Sequence, residues 1–264
     1  AFPIPFQVIS DLLDMPVDRA DEMREWSQII TFSLEPTSTM DDLAKMDAAF
    51  AELIPYLLTV VEQRRANPGD DLLSALIAVE EDGDVLSLPE LMSFVVLLYI
   101  AGHETTVNLI GNSVNALLHH PDQLALWSRN PSIGARAVDE LLRFDGPVQQ
   151  TVRVPLVPVT YQSLDGPVVV EPGTVVTTVL GAGNRDPHMF ADPDRLDLAR
   201  DNANRHLAFA SGIHYCLGSN LAKLEAEVAV GSLVTRFPSM ALTGDITWRD
   251  RLTIRGVDRL ALRF

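Results

Sequence analysis

Cys216, the one cysteine of the chain, lies in the segment Phe209-Ala-Ser-Gly-Ile-His-Tyr-Cys-Leu-Gly218, directly before a predicted helix. A thiol at a helix N-terminus meets the positive end of the helix dipole and free backbone N–H groups, and both favour the thiolate. Gly212 and Gly218 leave the backbone bare, so that a large flat ligand can approach closely. Such a thiolate is suited to bind haem iron. A small buried apolar residue is the alternative interpretation.

Two histidines near Cys216 leave a different metal site open. His214 lies two residues before the cysteine, where its imidazole could ligate a metal or face a carboxylate on the rim of a cofactor. Together with His206, these residues could bind a structural zinc ion, which would make the chain a metal-binding module. The absence of a second cysteine argues against this alternative.

A polar interruption in an apolar helix is the second candidate site. Ala101-Gly-His-Glu-Thr-Thr106 places a glycine and two β-branched threonines in mid-helix, where they lower helix propensity. The Thr105 hydroxyl is placed to bond back to the carbonyl of Ala101. Glu104 followed by Thr105 is an acid beside an alcohol, which would provide a proton relay next to a pocket. A polar face turned to solvent is the alternative.

A charged pair on another predicted helix is the third candidate. Glu140 and Arg143 are spaced i, i+3, so that their side chains can meet, and apolar residues flank them. An exposed pair of this kind contributes less than about 1 kcal/mol to stability. Removing one member of a buried pair costs about 3–5 kcal/mol.

The elements that must position these residues are mainly helical, with a minor β region. Apolar residues recur at helical spacing over 8–13, 23–30, 50–61 and 217–237. The capping box Ser87-Leu-Pro-Glu90 predicts a helix that runs to about residue 120, and a further helix is predicted over 132–144. Short strands are predicted at 151–155, 167–171, 174–179, 252–254 and 260–264, and an ordered loop at 184–212.

Composition excludes several classes of protein. The chain has 264 residues, 20 Lys plus Arg, 36 Asp plus Glu and 47% hydrophobic residues, which favours a compact globular protein. The net charge of −16 opposes binding to nucleic acid or to anionic membranes. The apolar stretch Phe94–Ala101 is too short to span a bilayer. A single cysteine and the lack of a signal-like start predict a cytoplasmic protein, and the lack of an initiator Met predicts a truncated chain.

Four segments, in order and spacing, resemble the soluble bacterial cytochrome P450 monooxygenases. They are Ala101-Gly-His-Glu-Thr-Thr106, Glu140-Leu-Leu-Arg143, Asn184-Arg-Asp-Pro187 with Asp192-Pro-Asp194, and Phe209-x-x-Gly-x-His-x-Cys-Leu-Gly218. The resemblance extends over essentially the whole chain. It implies the C-terminal two thirds of the P450 fold, as one domain over 1–264 that is incomplete at the N-terminus.

The resemblance also implies roles for single residues. Cys216 is the proximal ligand of the iron of haem b, and Glu104 and Thr105 supply protons for the reduction of dioxygen. Ala101 and Gly102 occupy a turn beside the oxygen site. Arg153 and His214 bind the haem propionates, and Phe209, Gly212 and Gly218 of the cysteine loop also bind the cofactor, as do Ala101 and Gly102. Glu140, Arg143 and Arg200 form a structural cluster.

The implied activity is a haem-thiolate monooxygenase. One oxygen atom of O2 enters an apolar organic substrate, by hydroxylation or epoxidation, with electrons from NAD(P)H through a ferredoxin reductase and a ferredoxin. Roughly the first third of the usual family chain is missing, with a helix that supplies further propionate ligands. A fragment that is unable to bind haem or to turn over is therefore the alternative.

Overall fold

The computed structural model describes residues 1–78, 80, 81 and 84–264. In chain order its α-helices are α1 (Pro3–Leu13), α2 (Ala20–Phe32), α3 (Met40–Ala66), α4 (Leu72–Ala78), α5 (Leu88–His119), α6 (Pro121–Arg129), α7 (Gly134–Asp145), α8 (Leu180–Gly183) and α9 (Ser219–Arg236). Short 3-10 turns lie at Pro131–Ile133, Ala203–Arg205 and Gly212–His214. The predicted helices are confirmed; most boundaries shift by a few residues, and α3 begins ten residues before the predicted segment 50–61.

The strands are short and pair two by two. They are β1 (Glu80–Glu81), β2 (Asp84–Val85), β3 (Gln150–Arg153), β4 (Val159–Ser163), β5 (Gly166–Val170), β6 (Val176–Val179), β7 (Ala241–Leu242), β8 (Thr247–Trp248), β9 (Val257–Arg259) and β10 (Leu262–Arg263). The antiparallel pairs are β1 with β2, β3 with β6, β4 with β5, β7 with β10, and β8 with β9. The predicted fold class, mainly helical with a minor β region, is confirmed.

Helix α5 is the central element. The predicted capping box starts it, because the Glu90 carboxylate accepts the backbone N–H of Ser87 at 2.9 Å. One apolar cluster packs its first half against α1 to α4, and a second packs its second half against α6, α7 and α9. By length and composition α5 could cross a membrane, but half of its most apolar stretch is buried within the fold. It is the core helix around which the other elements pack.

One predicted strand is wrong for a physical reason. The backbone N–H groups of Leu252, Thr253 and Ile254 all donate to the Glu35 carboxylate, at 2.8, 2.7 and 3.2 Å. Those donors are therefore not available for a ladder, and only Ile254 forms an isolated bridge, to Val148. The buried carboxylate of Glu35, in the turn after α2, thus shapes the turn that the sequence pattern assigned to a strand. Strand β4 is one that the sequence analysis did not predict. Most of its residues are exposed, so apolar and polar residues do not alternate along it as they do in a half-buried strand.

Glu225 in α9 is a buried acid that lacks a partner for one oxygen. Its side chain is almost fully buried, and Oε2 accepts no hydrogen bond within the described residues. Burial raises the pKa of the Glu225 carboxyl from 4.5 to about 7, because the charged form loses its hydration. The folded state therefore holds this proton more tightly than the unfolded state does. Its contribution to stability is complete below pH 4.5 and is lost as the pH rises through about 7.

We expect Glu225→Gln to remove this pH dependence. Between about pH 4.5 and pH 7 the free energy of unfolding of the unchanged protein should fall by on the order of 2 kcal/mol relative to the variant. Urea unfolding at a series of pH values measures the difference. The exposed Glu52→Gln serves as the control, and a difference that stays constant across this range would contradict the assignment.

Candidate active site

The cysteine loop is built around Cys216 as the sequence predicts. The backbone N–H of Cys216 donates to the carbonyl of Phe209 at 3.0 Å, which closes the loop before α9 begins at Ser219. Gly212 has φ of +70°, a conformation that favours glycine. A Cβ atom added at Gly212 or Gly218 would meet no atom within 4 Å. The space beside both glycines is therefore open to a ligand.

The ionisation of Cys216 differs from the sequence-based expectation. Burial raises the pKa of the half-buried thiol, and the backbone hydrogen bond with Gly218 opposes this more weakly. The position before α9 is therefore not sufficient to favour the thiolate, because burial removes the hydration that a charged sulfur needs. A metal cation bound to Cys216 would supply the positive charge that favours the thiolate, since coordination deprotonates a thiol.

Apolar side chains are left uncovered on the helix that follows this loop and on α5, which packs against that helix. Leu217 is 81% exposed, and Leu224 and Val228 continue one face of α9 at 58% and 59%. Helix α5 packs against α9 and is largely buried. One of its faces nevertheless exposes Leu97, whose exposed fraction is 59%, and Ala101. Large exposed apolar surfaces mark binding sites. A thiol, bare glycine backbone and apolar surface form a donor set that fits haem.

The structure places the predicted acid and alcohol on different sides of α5. The Thr105 hydroxyl donates to the carbonyl of Ala101 at 3.2 Å, as predicted, and its side chain is half-buried. Glu104 is 1% exposed and forms an ion pair with Arg249. No hydrogen bond joins Glu104 to Thr105 in the described part of the chain. Sequence reasoning missed Arg249, since no local pattern links residues so far apart.

Packing gives Gly102 a further reason to be glycine. A Cβ atom there would lie 2.7 Å from Cδ1 of Ile9, because α1 crosses α5 at this point. Such a distance is shorter than carbon atoms tolerate, so either the Ile9 side chain or one of the two helices would have to move. The small residue therefore serves helix packing as well as the predicted turn beside the oxygen site.

The cluster of Glu140, Arg143 and Arg200 is fully assembled. Nε and Nη2 of Arg143 donate to the Glu140 carboxylate at 2.7 and 2.8 Å, and both side chains are completely buried. Nε of Arg200 lies 3.1 Å from Glu140 Oε2. Nη1 of Arg143 also donates to the carbonyls of Asn184 and Pro193 at 2.9 and 2.8 Å. The cluster therefore joins α7 to the long loop before Cys216, and the surface-pair alternative is wrong.

Arg153 and His214, the predicted propionate ligands, are both exposed. The Arg153 guanidinium donates only to the neighbouring Val152 carbonyl, at 2.8 Å, as far as the described residues show. The Nε2 atom of His206 lies 3.6 Å from Asp139 Oδ1, which also binds Lys223 at 2.7 Å. Among the described residues, no three His, Cys, Asp or Glu side chains are grouped to bind a metal ion. The zinc alternative thus finds no support here.

Comparisons with known proteins agree with this geometry. The sequence model of the family described as Cytochrome P450 matches residues 135–245. The chain is 43% identical to Cytochrome P450 107B1 of Saccharopolyspora erythraea, over 100% of this chain and 63% of that protein. It is 44% identical to the Vitamin D(3) 25-hydroxylase of Pseudonocardia autotrophica, over 98% of this chain and 63% of that protein. The crystal structure of ligand-free CYP164A2 of Mycobacterium smegmatis superposes with a TM-score of 0.92 at 37% sequence identity. The match covers 99% of this chain and 67% of that one.

The chain therefore belongs to the cytochrome P450 family, a family of haem-thiolate proteins, and it has the P450 fold. It spans 63% of the length of the two curated relatives named above. The family assignment makes Cys216 the residue to test first as a ligand of the haem iron.

Proposed function

We propose that this chain is the part of a monooxygenase that binds haem b through Cys216. The observation that carries the proposal is the cysteine loop, in which a half-buried thiol lies between two glycines with open space beside them. Arg153 and His214 are exposed cationic or hydrogen-bonding groups suited to the haem propionates. Phe209 supports the loop from inside, since it packs against the buried cluster under α7 and α9.

The reaction that we propose consumes O2, two electrons and two protons for each molecule of substrate. One oxygen atom enters a C–H or C=C bond of an apolar organic molecule, and the other leaves as water. Haem, when bound, supplies the iron at which oxygen is reduced. The chain itself must bring protons to that place, and we assign this role to Glu104 and Thr105 on α5. The name of the Vitamin D(3) 25-hydroxylase, an enzyme for an apolar substrate, supports hydroxylation of an apolar molecule.

The electrons come, in this proposal, from NAD(P)H through a ferredoxin reductase and a ferredoxin in the cytoplasm. The exposed cysteine loop supports a partner of this kind, since electrons must reach the metal from outside. Reduction of the haem-loaded protein by a reduced ferredoxin, followed in a stopped-flow spectrometer, tests this part separately.

The spectrum of the carbon monoxide complex tests the proposed function. The chain is reconstituted with haem, reduced under carbon monoxide and measured in the Soret region. A red-shifted band typical of thiolate ligation supports the proposal. No haem uptake favours the alternative, a fragment without activity, and a band typical of histidine ligation would exclude Cys216 as the ligand.

We expect Thr105→Ala to separate oxygen reduction from product formation. The Soret band should stay, because the variant keeps Cys216. Most of the electrons consumed should appear in hydrogen peroxide, because proton delivery fails. Loss of a general acid lowers a reaction rate about 100-fold or more. Peroxide and product are measured against NAD(P)H consumed. Ser93→Ala removes a similar hydroxyl bond on α5, to the Pro89 carbonyl at 2.8 Å, and is the control. Unchanged coupling in Thr105→Ala would refute the relay.

A further inference from the structure

Asp139 is a buried acid on α7 that takes no part in the neighbouring cluster around Glu140. Its exposed fraction is 9%. Its Oδ1 atom lies 2.7 Å from Nζ of Lys223 and 3.6 Å from Nε2 of His206. Both contacts are electrostatic, since Oδ1 accepts no well-directed hydrogen bond among the described residues. We call these three side chains the Asp139 cluster.

The charge of Asp139 depends on its two partners. Burial by itself raises the pKa of the Asp139 carboxyl, but His206 and Lys223 outweigh this effect and hold the pKa below its usual value. The side chain of His206 is 5% accessible and that of Lys223 is 33% accessible. A buried carboxylate stays charged only where cations and donors compensate for its lost hydration. The three side chains therefore hold one another in place.

His206 links Asp139 to the backbone of the cysteine loop. The N–H of Ala208 donates to Nδ1 of His206 at 3.1 Å. Nδ1 is therefore unprotonated, and the proton of the neutral ring lies on Nε2, which faces Asp139. The ring of Phe209 lies beside that of His206, with centroids 5.5 Å apart. Because the Phe209 carbonyl accepts the N–H of Cys216 at 3.0 Å, a short series of contacts joins Asp139 to Cys216.

Lys223 links Asp139 to the other side of the same loop. It lies in α9, which begins at Ser219, directly after the loop. His206 thus precedes Cys216 in the sequence, and Lys223 follows it. Asp139 therefore contacts both the segment that enters the cysteine loop and the helix that leaves it. One buried carboxylate ties both ends of the loop to the same helix, α7.

We propose that Asp139, His206 and Lys223 are positioning residues that hold the cysteine loop in the conformation in which Cys216 ligates the haem iron. A metal ligand must be held within about 0.5 Å of its productive position by the contacts around it. The two glycines of the loop give it little stiffness of its own, so this support comes from outside the loop. The role rests on the proposed function, since it concerns the same sulfur, and none of the three residues takes part in the reaction itself.

Amide hydrogen exchange at Cys216, measured by NMR on the chain without haem, tests the positioning directly. His206→Leu removes both the acceptor for Ala208 and the N–H that faces Asp139. We expect exchange of the Cys216 amide to become roughly tenfold faster, because a lost buried hydrogen bond shifts a local opening equilibrium by about that factor. His206→Gln should restore the rate of the unchanged protein, since its amide offers one acceptor and a donor, as the neutral imidazole does.

Val114→Ala is the matched control for stability. Val114 is 3% exposed in the apolar cluster against which Phe209 packs, but it lies on α5, outside the Asp139 cluster. Its truncation lowers the stability of the whole fold and changes no charge, so exchange at Cys216 should stay as it is. Equal acceleration by Val114→Ala and His206→Leu would overturn the proposed role. So would a His206→Gln variant that exchanges as fast as His206→Leu.

Asp139→Asn tests the charge at the centre of the cluster. The variant keeps the shape of the side chain, so it should fold even if His206→Leu does not. Exchange at Cys216 should become faster than in the unchanged protein but slower than in His206→Leu, because the amide still faces the imidazole while the attraction to Lys223 is lost. An unchanged exchange rate in Asp139→Asn would contradict the role of the carboxylate.

The carbon monoxide complex of the haem-loaded protein gives the second readout. We expect His206→Leu to lose a large part of the red-shifted Soret band to a band without thiolate ligation, and His206→Gln to keep the red-shifted band. A full red-shifted band in His206→Leu would overturn the role in ligation. If the unchanged chain shows no red-shifted band, the proposed function fails instead, while the exchange rates of the chain without haem still decide whether the Asp139 cluster positions the loop.

Discussion

Replacing Cys216 with alanine should abolish the thiolate-type Soret band of the carbon monoxide complex completely. Cys216 is the one cysteine in the sequence, so no second thiolate can take its place. The structure leaves the thiol half-buried at the base of an exposed loop, within reach of a ligand. Haem that still enters the apolar surface should then show the spectrum of another axial ligand or of none. Absorption spectra of the reconstituted variant measure this result.

Asn220→Ala is the control for Cys216→Ala. Asn220 is exposed in the first turn of α9, so its loss should leave the band in place. A thiolate-type band that persists in Cys216→Ala would show that the sulfur does not ligate the iron, and the proposed function would then fail at its first step.

Replacing Arg143 with alanine should destabilise the fold by about 3–5 kcal/mol. The change leaves the Glu140 carboxylate at 0% exposure with Arg200 as its remaining guanidinium partner. It also removes donors from the carbonyls of Asn184 and Pro193. A typical domain is stable by only about 5–15 kcal/mol, so much of the margin is lost. The shift of the urea midpoint at constant slope measures the effect.

Arg136→Ala is the matched control on the same helix. Arg136 forms an exposed pair with Asp201 at 3.4 Å, with side chains 54% and 96% accessible. Exposed pairs contribute about 0–1 kcal/mol, so this variant should unfold almost like the unchanged protein. Equal destabilisation by the two variants would mean that the buried cluster does not stabilise the fold through its charges.

Local sequence patterns predicted the parts of this protein that depend on near neighbours. The capping box at Ser87, the back-bond from Thr105 and the pairing of Glu140 with Arg143 all join residues within four positions. Helix geometry fixes such distances whatever the rest of the chain does. The glycines around Cys216 also act locally, because Gly212 needs its positive φ for the loop to turn.

The site required contacts between segments far apart in the sequence. Glu104 and Thr105 are neighbours in the same helix, which the sequence predicts. The partner of Glu104, Arg249, comes from the C-terminal hairpin, and that contact places the acid inside the fold. Glu35 likewise captures the N–H groups of the turn that includes Thr253, where the residue types alone favoured a strand.

By itself, the sequence determined the family, the helical fold class and the cysteine loop, because these rest on residue types at short spacing. Tertiary structure decided the burial of each charged group, and burial changed the chemistry. It raised the pKa of Cys216, where the helix terminus alone predicted a thiolate. Desolvation depends on everything packed around a side chain, and no local pattern encodes it.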